Sequence, residues 1–127
     1  MEPVYQTIID KENGNCMAAC IASLLELPLE AVPNFSERED WFNYVDEFLE
    51  QFDLEWLQLK YSRSTELLLR GYYILSGDSP NFDGVDHVVI GHNGEVVHDP
   101  NPDGKEMTEF STIEVLIKRC ERGVSYE

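Results

Sequence analysis

The chain has 127 residues, 43% of them apolar, and its 25 acidic against nine basic residues give a net charge of −16. This length and apolar content suit a single domain over residues 1–127, while the charge repels nucleic acid and anionic membrane surfaces and so disfavours both as direct partners. No apolar run approaches the roughly 20 residues that span a bilayer, and the N-terminus lacks a signal-peptide pattern. Three cysteines at irregular spacing argue against a disulfide framework, so we expect a cytoplasmic protein.

The N-terminal elements are predicted from turn signals and helical spacing. Residues 4–9 are apolar and rich in β-formers, and the Asn13-Gly14 pair that follows predicts a turn. A first helix is expected from residue 15 or 16 to about residue 26, because apolar residues recur there at helical spacing. Pro28 ends this helix, and a turn-rich connection follows up to residue 35.

A second helix is expected over residues 36–52. Ser36 fits an N-cap, and Glu39 three residues later completes the spacing of a capping box. The apolar side of this helix would consist of Trp41, Tyr44, Val45, Phe48, Leu49 and Phe52. Beyond it, residues 54–61 alternate as a strand does, and residues 64–69 suit one or two helical turns.

The C-terminal half is predicted to be mainly β. Residues 71–75 form one strand, and two more, around His87 and Val96, are joined through Asn93-Gly94, a strong hairpin signal. Residues 76–84 have the composition of a loop. Residues 113–120 fit a strand or a helix, and their β-branched content favours a strand. Helices followed by a mainly antiparallel sheet define an α+β fold.

Three chemically competent residues fall on these elements. Cys16 opens the first helix directly after a glycine turn, where free backbone N–H groups and the positive end of the helix dipole favour a thiolate. His87 lies near the start of one strand, and Asp99 ends the next strand. Cysteine, histidine and aspartate are the parts of a thiol-based acyl-transfer centre.

Each of these residues also has a simpler interpretation. Cys16 could be a small core residue, His87 a structural histidine, and Asp99 a turn former before proline. The other histidines are weaker candidates for a base. His98 adjoins Asp99 and faces the opposite side of a regular strand, while His92 lies near the predicted hairpin turn.

The arrangement resembles the papain-like cysteine peptidase superfamily, especially its small bacterial and phage-type members and the peptidase domains of bacteriocin exporters. The motifs that carry the resemblance are Tyr5-Gln6-Thr7, Gly14-Asn15-Cys16, Asp86-His87-Val88-Val89 and Val97-His98-Asp99-Pro100. The resemblance implies a compact papain-like fold with N-terminal helices packed on the sheet. It also implies Cys16 as the nucleophile, His87 as the general base, Asp99 as the residue that orients the imidazole, and Gln6 as an oxyanion donor.

The spacing of Gln6 departs from the pattern of this superfamily. Gln6 lies ten residues before Cys16, whereas papain and the exporter peptidases place their glutamine about six residues before the cysteine. The additional residues could loop out through residues 10–13. Otherwise Asn13 or Asn15 would supply the side-chain amide that a developing oxyanion needs.

A zinc site is the chemical competitor. Cys16, Cys20 and either His87 or His92 could supply three ligands, but structural zinc sites take paired cysteines from a loop or knuckle and not from within a helix. Cys20 is instead expected in the core, with a resolving thiol for an oxidised Cys16 as its alternative. Phosphate-loop and dinucleotide patterns are absent, so we expect neither a bound metal nor a cofactor.

These patterns predict a thiol-dependent hydrolase or acyl transferase that acts on an amide, peptide or isopeptide bond. Many of the acidic residues cluster within residues 37–55, which suits a solubilising surface and would also favour a peptide or protein substrate of basic character. The alternative is a catalytically silent papain-like protein that serves as an acidic binding module or as an inhibitor of a host protein, in a phage–host conflict. The oligomeric state is not indicated.

Overall fold

The structure is a computed structural model, and it describes residues 1–12 and 14–119. Its α-helices are α1 (Cys16–Leu25), α2 (Trp41–Glu50) and α3 (Arg63–Leu68), with short 3-10 helices at Leu29–Ala31 and Phe35–Glu37. Its strands are β1 (Leu54–Lys60), β2 (Tyr72–Asp78), β3 (Asp86–His92), β4 (Glu95–His98) and β5 (Thr112–Lys118).

The five strands of the described residues form one sheet in the order β1-β5-β2-β3-β4, and every neighbouring pair is antiparallel. The predicted α+β class is therefore confirmed. The predicted hairpin between β3 and β4 is also confirmed: Asn93 and Gly94 have φ angles of 53° and 81°, the left-handed backbone that a tight two-residue hairpin turn requires.

Helix α1 is the central helix of the fold. All of residues 18–23 are buried, and their small side chains let the helix lie close to β3. The helix ends where the Glu26 N–H donates to the carbonyls of Ala22 and Ser23, close to the predicted end. Among residues 1–12 and 14–119, no single helix is long and apolar enough to cross a membrane, although the bent pair Cys16–Leu25 and Leu29–Glu37 together passes the same test.

The second helix is shorter than predicted, and the proposed capping box at Ser36 is wrong. The Asn34 side chain accepts hydrogen bonds from the backbone N–H and the hydroxyl of Ser36, so Ser36 belongs to a 3-10 turn and cannot cap a longer helix. Arg38 then has an extended backbone, and α2 begins only at Trp41. Two of the predicted core residues, Val45 and Leu49, are fully buried.

Residues 4–9 are rich in β-formers but form no strand, because their backbone bonds are made to side chains and to a segment after β4 instead of to a ladder. One strand differs from the sequence prediction. Strand β2 extends to Asp78, where Gly77 and Asp78 pair with His87 and Asp86, so the following loop starts later than predicted. The strand assignment for residues 113–120 is confirmed for residues 113–118 by β5; Arg119 lies beyond the end of the strand, and Cys120 lies outside the described residues.

Candidate active site

The fold brings Cys16, His87 and Asp99 together from three separate parts of the chain. His87 Nε2 lies 2.8 Å from Asp99 Oδ1, and Cys16 lies in the same cleft, close enough for its thiol to raise the pKa of His87. Since Nε2 faces Asp99, Nδ1 is the ring nitrogen left for Cys16. The three residues predicted from the sequence thus lie together, and His87 interacts with both Cys16 and Asp99.

The charge state of His87 follows from these contacts. The side chain is largely buried, and burial alone would lower its pKa by disfavouring the imidazolium. Hydrogen bonds to Asp99 and Cys16, together with their negative charges, outweigh burial and raise the pKa of His87 to about 9. At neutral pH the ring is therefore cationic, and a cation beside Cys16 stabilises a thiolate.

Asn15 fixes the start of the helix that carries Cys16. Its Oδ1 accepts hydrogen bonds from the backbone N–H groups of Thr7 and Ile8, both at 3.0 Å, and its Nδ2 donates to Thr7 Oγ1 at 3.1 Å. The side chain therefore fastens the N-terminal segment to the beginning of α1. This places Asn15 in a supporting role. Asn13, the other alternative amide, lies outside the described residues.

Gln6 lies in the same cleft as Cys16 and His87. Its backbone N–H donates to the Pro100 carbonyl at 2.9 Å, which ties it to the segment that carries Asp99. Its Nε2 donates one hydrogen bond, to the Ile8 carbonyl at 3.0 Å, and so keeps a second N–H. The Asn15 N–H also donates to the Ile8 carbonyl, at 3.3 Å, which closes the base of the loop that contains the additional residues.

The cleft around Cys16 has a volume of about 360 Å³ and an acidic, partly aromatic lining. Its carboxylates belong to Asp10, Glu12, Glu39 and Asp86, and its aromatic rings to Phe35, Trp41 and Phe82. Two basic side chains, Lys11 and Arg38, also line the cleft, and Arg38 is neutralised by ion pairs of 2.7 Å with both Asp40 and Glu47. The cleft therefore has a net negative character.

The remaining histidines and Cys20 have structural surroundings. His98 is buried and its Nε2 lies 2.7 Å from the Val4 carbonyl, while His92 stacks on Tyr72 with ring centroids 4.2 Å apart. Cys20 is fully buried, and burial raises the pKa of its thiol. Across the described part of the chain, no group of three or more His, Cys, Asp or Glu residues is placed to hold a metal ion.

Asn81 and Asn101, two of the three asparagines that line the cleft, were not identified from the sequence. The Asn101 N–H donates to Asp99 Oδ1 at 2.9 Å, so the oxygen that contacts His87 accepts two hydrogen bonds. Asp99-Pro100-Asn101 is a turn-forming sequence in which an aspartate accepts from the N–H two residues later. That pattern was the available signal for Asn101, whereas no local pattern marks Asn81.

Comparisons of the chain with protein-family models, with curated proteins and with solved structures found no match.

Proposed function

We propose that this protein is a thiol-dependent hydrolase or acyl transferase with a papain-like arrangement of Cys16, His87 and Asp99. The observation that carries the proposal is the placement of Cys16 in one cleft with His87, whose ring is hydrogen-bonded to Asp99 at 2.8 Å. The position of Cys16 at the first residue of the buried helix α1, with His87 on the neighbouring strand, supports the papain-like assignment.

The proposed reaction begins when the Cys16 thiolate attacks the carbonyl carbon of an amide, peptide or isopeptide bond. The Cys16 backbone N–H and the second Gln6 Nε2–H donate to the oxyanion that forms. The imidazolium of His87 then gives its proton to the leaving nitrogen, and the C–N bond breaks to leave an acyl-cysteine. Neutral His87 next removes a proton from water, or from an acceptor amine, which attacks the thioester and releases Cys16.

The substrate proposed is a peptide or protein of basic character, because the cleft has an acidic lining and the chain a charge of −16. The cytoplasm, or the host cytoplasm for a phage-encoded protein, is the proposed location. Its reducing conditions would keep Cys16 and Cys20 as the free thiols that they are in the structure.

The test is alkylation by iodoacetamide, with the rate at each cysteine measured by mass spectrometry across a pH series. We expect Cys16 to react quickly well below the usual thiol pKa of about 8.5, and His87→Ala to abolish that advantage. His92→Ala is the matched control, because His92 lies outside the cleft. A slow, ordinary profile at Cys16, unaffected by His87→Ala, would refute the enzyme and favour the catalytically silent acidic binding module.

A further inference from the structure

Asn81 and Asn101 present two side-chain amide groups to the cleft with their orientations fixed. Asn81 Oδ1 accepts from the Lys105 N–H at 3.0 Å, and Asn101 Oδ1 accepts from the Asp103 N–H at 3.1 Å. Reversing either amide would place an NH₂ group against a backbone N–H, which is unfavourable. In each side chain Nδ2 is therefore the amide atom that points away from the backbone N–H group. Neither Nδ2 donates a hydrogen bond within residues 1–12 and 14–119.

The two nitrogens converge at Gly104. A Cβ atom built on this glycine would lie 2.8 Å from Asn101 Nδ2 and 3.0 Å from Asn81 Nδ2, so both donors approach one point that a larger residue would disturb. Asn101 is only 8% exposed. Its Nδ2 is nevertheless not buried without a partner, so this nitrogen meets the solvent of the cleft, where an acceptor of a ligand can replace water.

The position of this pair indicates which part of a substrate it meets. His87 Nε2 and the Asn101 N–H both donate to Asp99 Oδ1, which places Asn101 on the His87 side of the cleft. His87 protonates the leaving nitrogen in the proposed reaction, so the leaving group lies on this side. Two neutral donors select an acceptor oxygen, and the acidic lining of the cleft favours an uncharged carbonyl over a carboxylate.

We propose that Asn81 and Asn101 bind a main-chain carbonyl oxygen of the substrate beyond the scissile bond. The preferred substrates are then peptides that continue past the cleaved bond, and not small terminal amides. This inference rests on the acyl-transfer function proposed above, since that function defines the leaving-group side.

The kinetic test starts from a synthetic library of acetylated, amidated octapeptides, with Cys16→Ala as the blank. The best-cleaved sequence is then made in three forms. The first peptide has two residues beyond the scissile bond and ends in an amide, and the second has the same two residues and ends in a free carboxylate. The third carries an aminomethylcoumarin leaving group, which has no main-chain carbonyl. Asn81→Asp keeps the Oδ1 contact and removes the donor, at the member of the pair that does not hold Asp99. We expect it to lower kcat/KM about tenfold for the extended amide and to change the coumarin substrate little.

Asn93→Asp is the matched control, because it makes the same change in the β3–β4 hairpin turn outside the cleft. An equal loss on the coumarin substrate would overturn the inference, as would no loss on the extended amide. A free-carboxylate peptide that is cleaved best and loses most would overturn the assignment to a main-chain carbonyl. Gly104→Ala, which crowds both nitrogens, should reproduce the selective loss.

A binding measurement decides the inference without turnover. ¹⁵N-labelled Cys16→Ala protein is titrated with acetyl-triglycine amide, a bare main-chain probe. The side-chain NH₂ signals of Asn81 and Asn101 should shift while that of Asn93 stays in place. Unshifted signals up to the solubility limit of the probe would overturn the subsite. If the library is not cleaved and Cys16 alkylates ordinarily, the proposed reaction fails, and these NH₂ signals still decide whether the asparagine pair binds a peptide carbonyl.

Discussion

His87 is stabilised as a cation by two neighbours, and the two have different roles. The negative charges of Asp99 and Cys16 both raise the pKa of His87, and Asp99 also accepts a hydrogen bond of 2.8 Å from its ring. Asp99 Oδ1 is in turn held by the Asn101 N–H, so the position of the carboxylate does not depend on His87. Asp99 therefore supports the imidazolium from a position that the backbone fixes.

Asp99→Asn tests this role at the scale of a single residue. The amide oxygen can still accept from His87 and from Asn101, but the negative charge is lost, so the pKa of His87 should fall from about 9 by about one unit or more. Because the imidazolium exists only below its pKa, the pH range in which it supports a Cys16 thiolate contracts from the alkaline side. The measurement is an NMR titration of the His87 ring protons.

The control for this substitution is Asp103→Asn, a neutralisation in the exposed turn just beyond Asn101. It removes the same charge from the same segment without touching His87. A His87 titration that is the same in Asp99→Asn and in wild type would show that Asp99 does not support the cation, and the orienting role would have to be abandoned.

At the scale of elements, the start of α1 is held by hydrogen bonds between the Asn15 side chain and the N-terminal segment. Asn15 holds the N–H groups of Thr7 and Ile8, and this positions Gln6 and Cys16 relative to each other. Asn15→Ala leaves those two donors without their acceptor in a largely buried site. We expect it to lower the free energy of unfolding by about 1–3 kcal/mol and to slow Cys16 alkylation.

Asn15→Asp is the informative companion, because it keeps the Oδ1 acceptor and loses only the contact from Nδ2 to Thr7 Oγ1. It should retain more stability than Asn15→Ala when both are unfolded in urea. If the two variants lost equal stability, or if neither lost any, the tie between Asn15 and residues 7–8 would have no energetic role.

Local signals predicted most elements of this fold, and the errors have a common cause. The hairpin at Asn93-Gly94 and the helix that begins at Cys16 depend on turn geometry and periodicity within a few residues. The helix expected from Ser36 failed because Asn34 captured the groups that Ser36 would have used as a cap. This competition is itself local, because an asparagine side chain can accept from the N–H two residues later, as Asp99 does from Asn101, and here that turn prevailed over the capping box.

In the candidate site, too, some residues are marked by local sequence signals and others are placed only by the fold. Cys16, His87 and Asp99 could be proposed because each lies at the end of a predictable element, and antiparallel pairing places such ends near one another. Gln6 could be proposed only through the superfamily resemblance, since its place beside Asp99 depends on a hydrogen bond to the Pro100 carbonyl. Asn81 lies in a loop, and only the folded chain places it beside Asn101.

For the whole molecule, the question is whether the charge of −16 acts at the cleft or only at the surface. Arg38 is a potential source of positive potential there, but Asp40 and Glu47 neutralise it, and its guanidinium stacks 4.4 Å from the centre of the Tyr44 ring. Glu39 and Asp86 therefore contribute to the potential that an approaching substrate meets. We expect that potential to select for cations.

Methanethiosulfonate reagents of similar size test this selection directly at Cys16. In a Cys120→Ser background, the trimethylammonium reagent should modify Cys16 about tenfold faster than the sulfonate reagent at low salt, with the neutral reagent between them. The ratio should shrink with added salt, which screens the field, and in Glu39→Gln and Asp86→Asn. Glu95→Gln, an exposed neutralisation on β4 outside the cleft, should leave the ratio nearly unchanged. Equal rates for all three reagents would mean that the acidic residues keep the protein in solution without selecting its substrate.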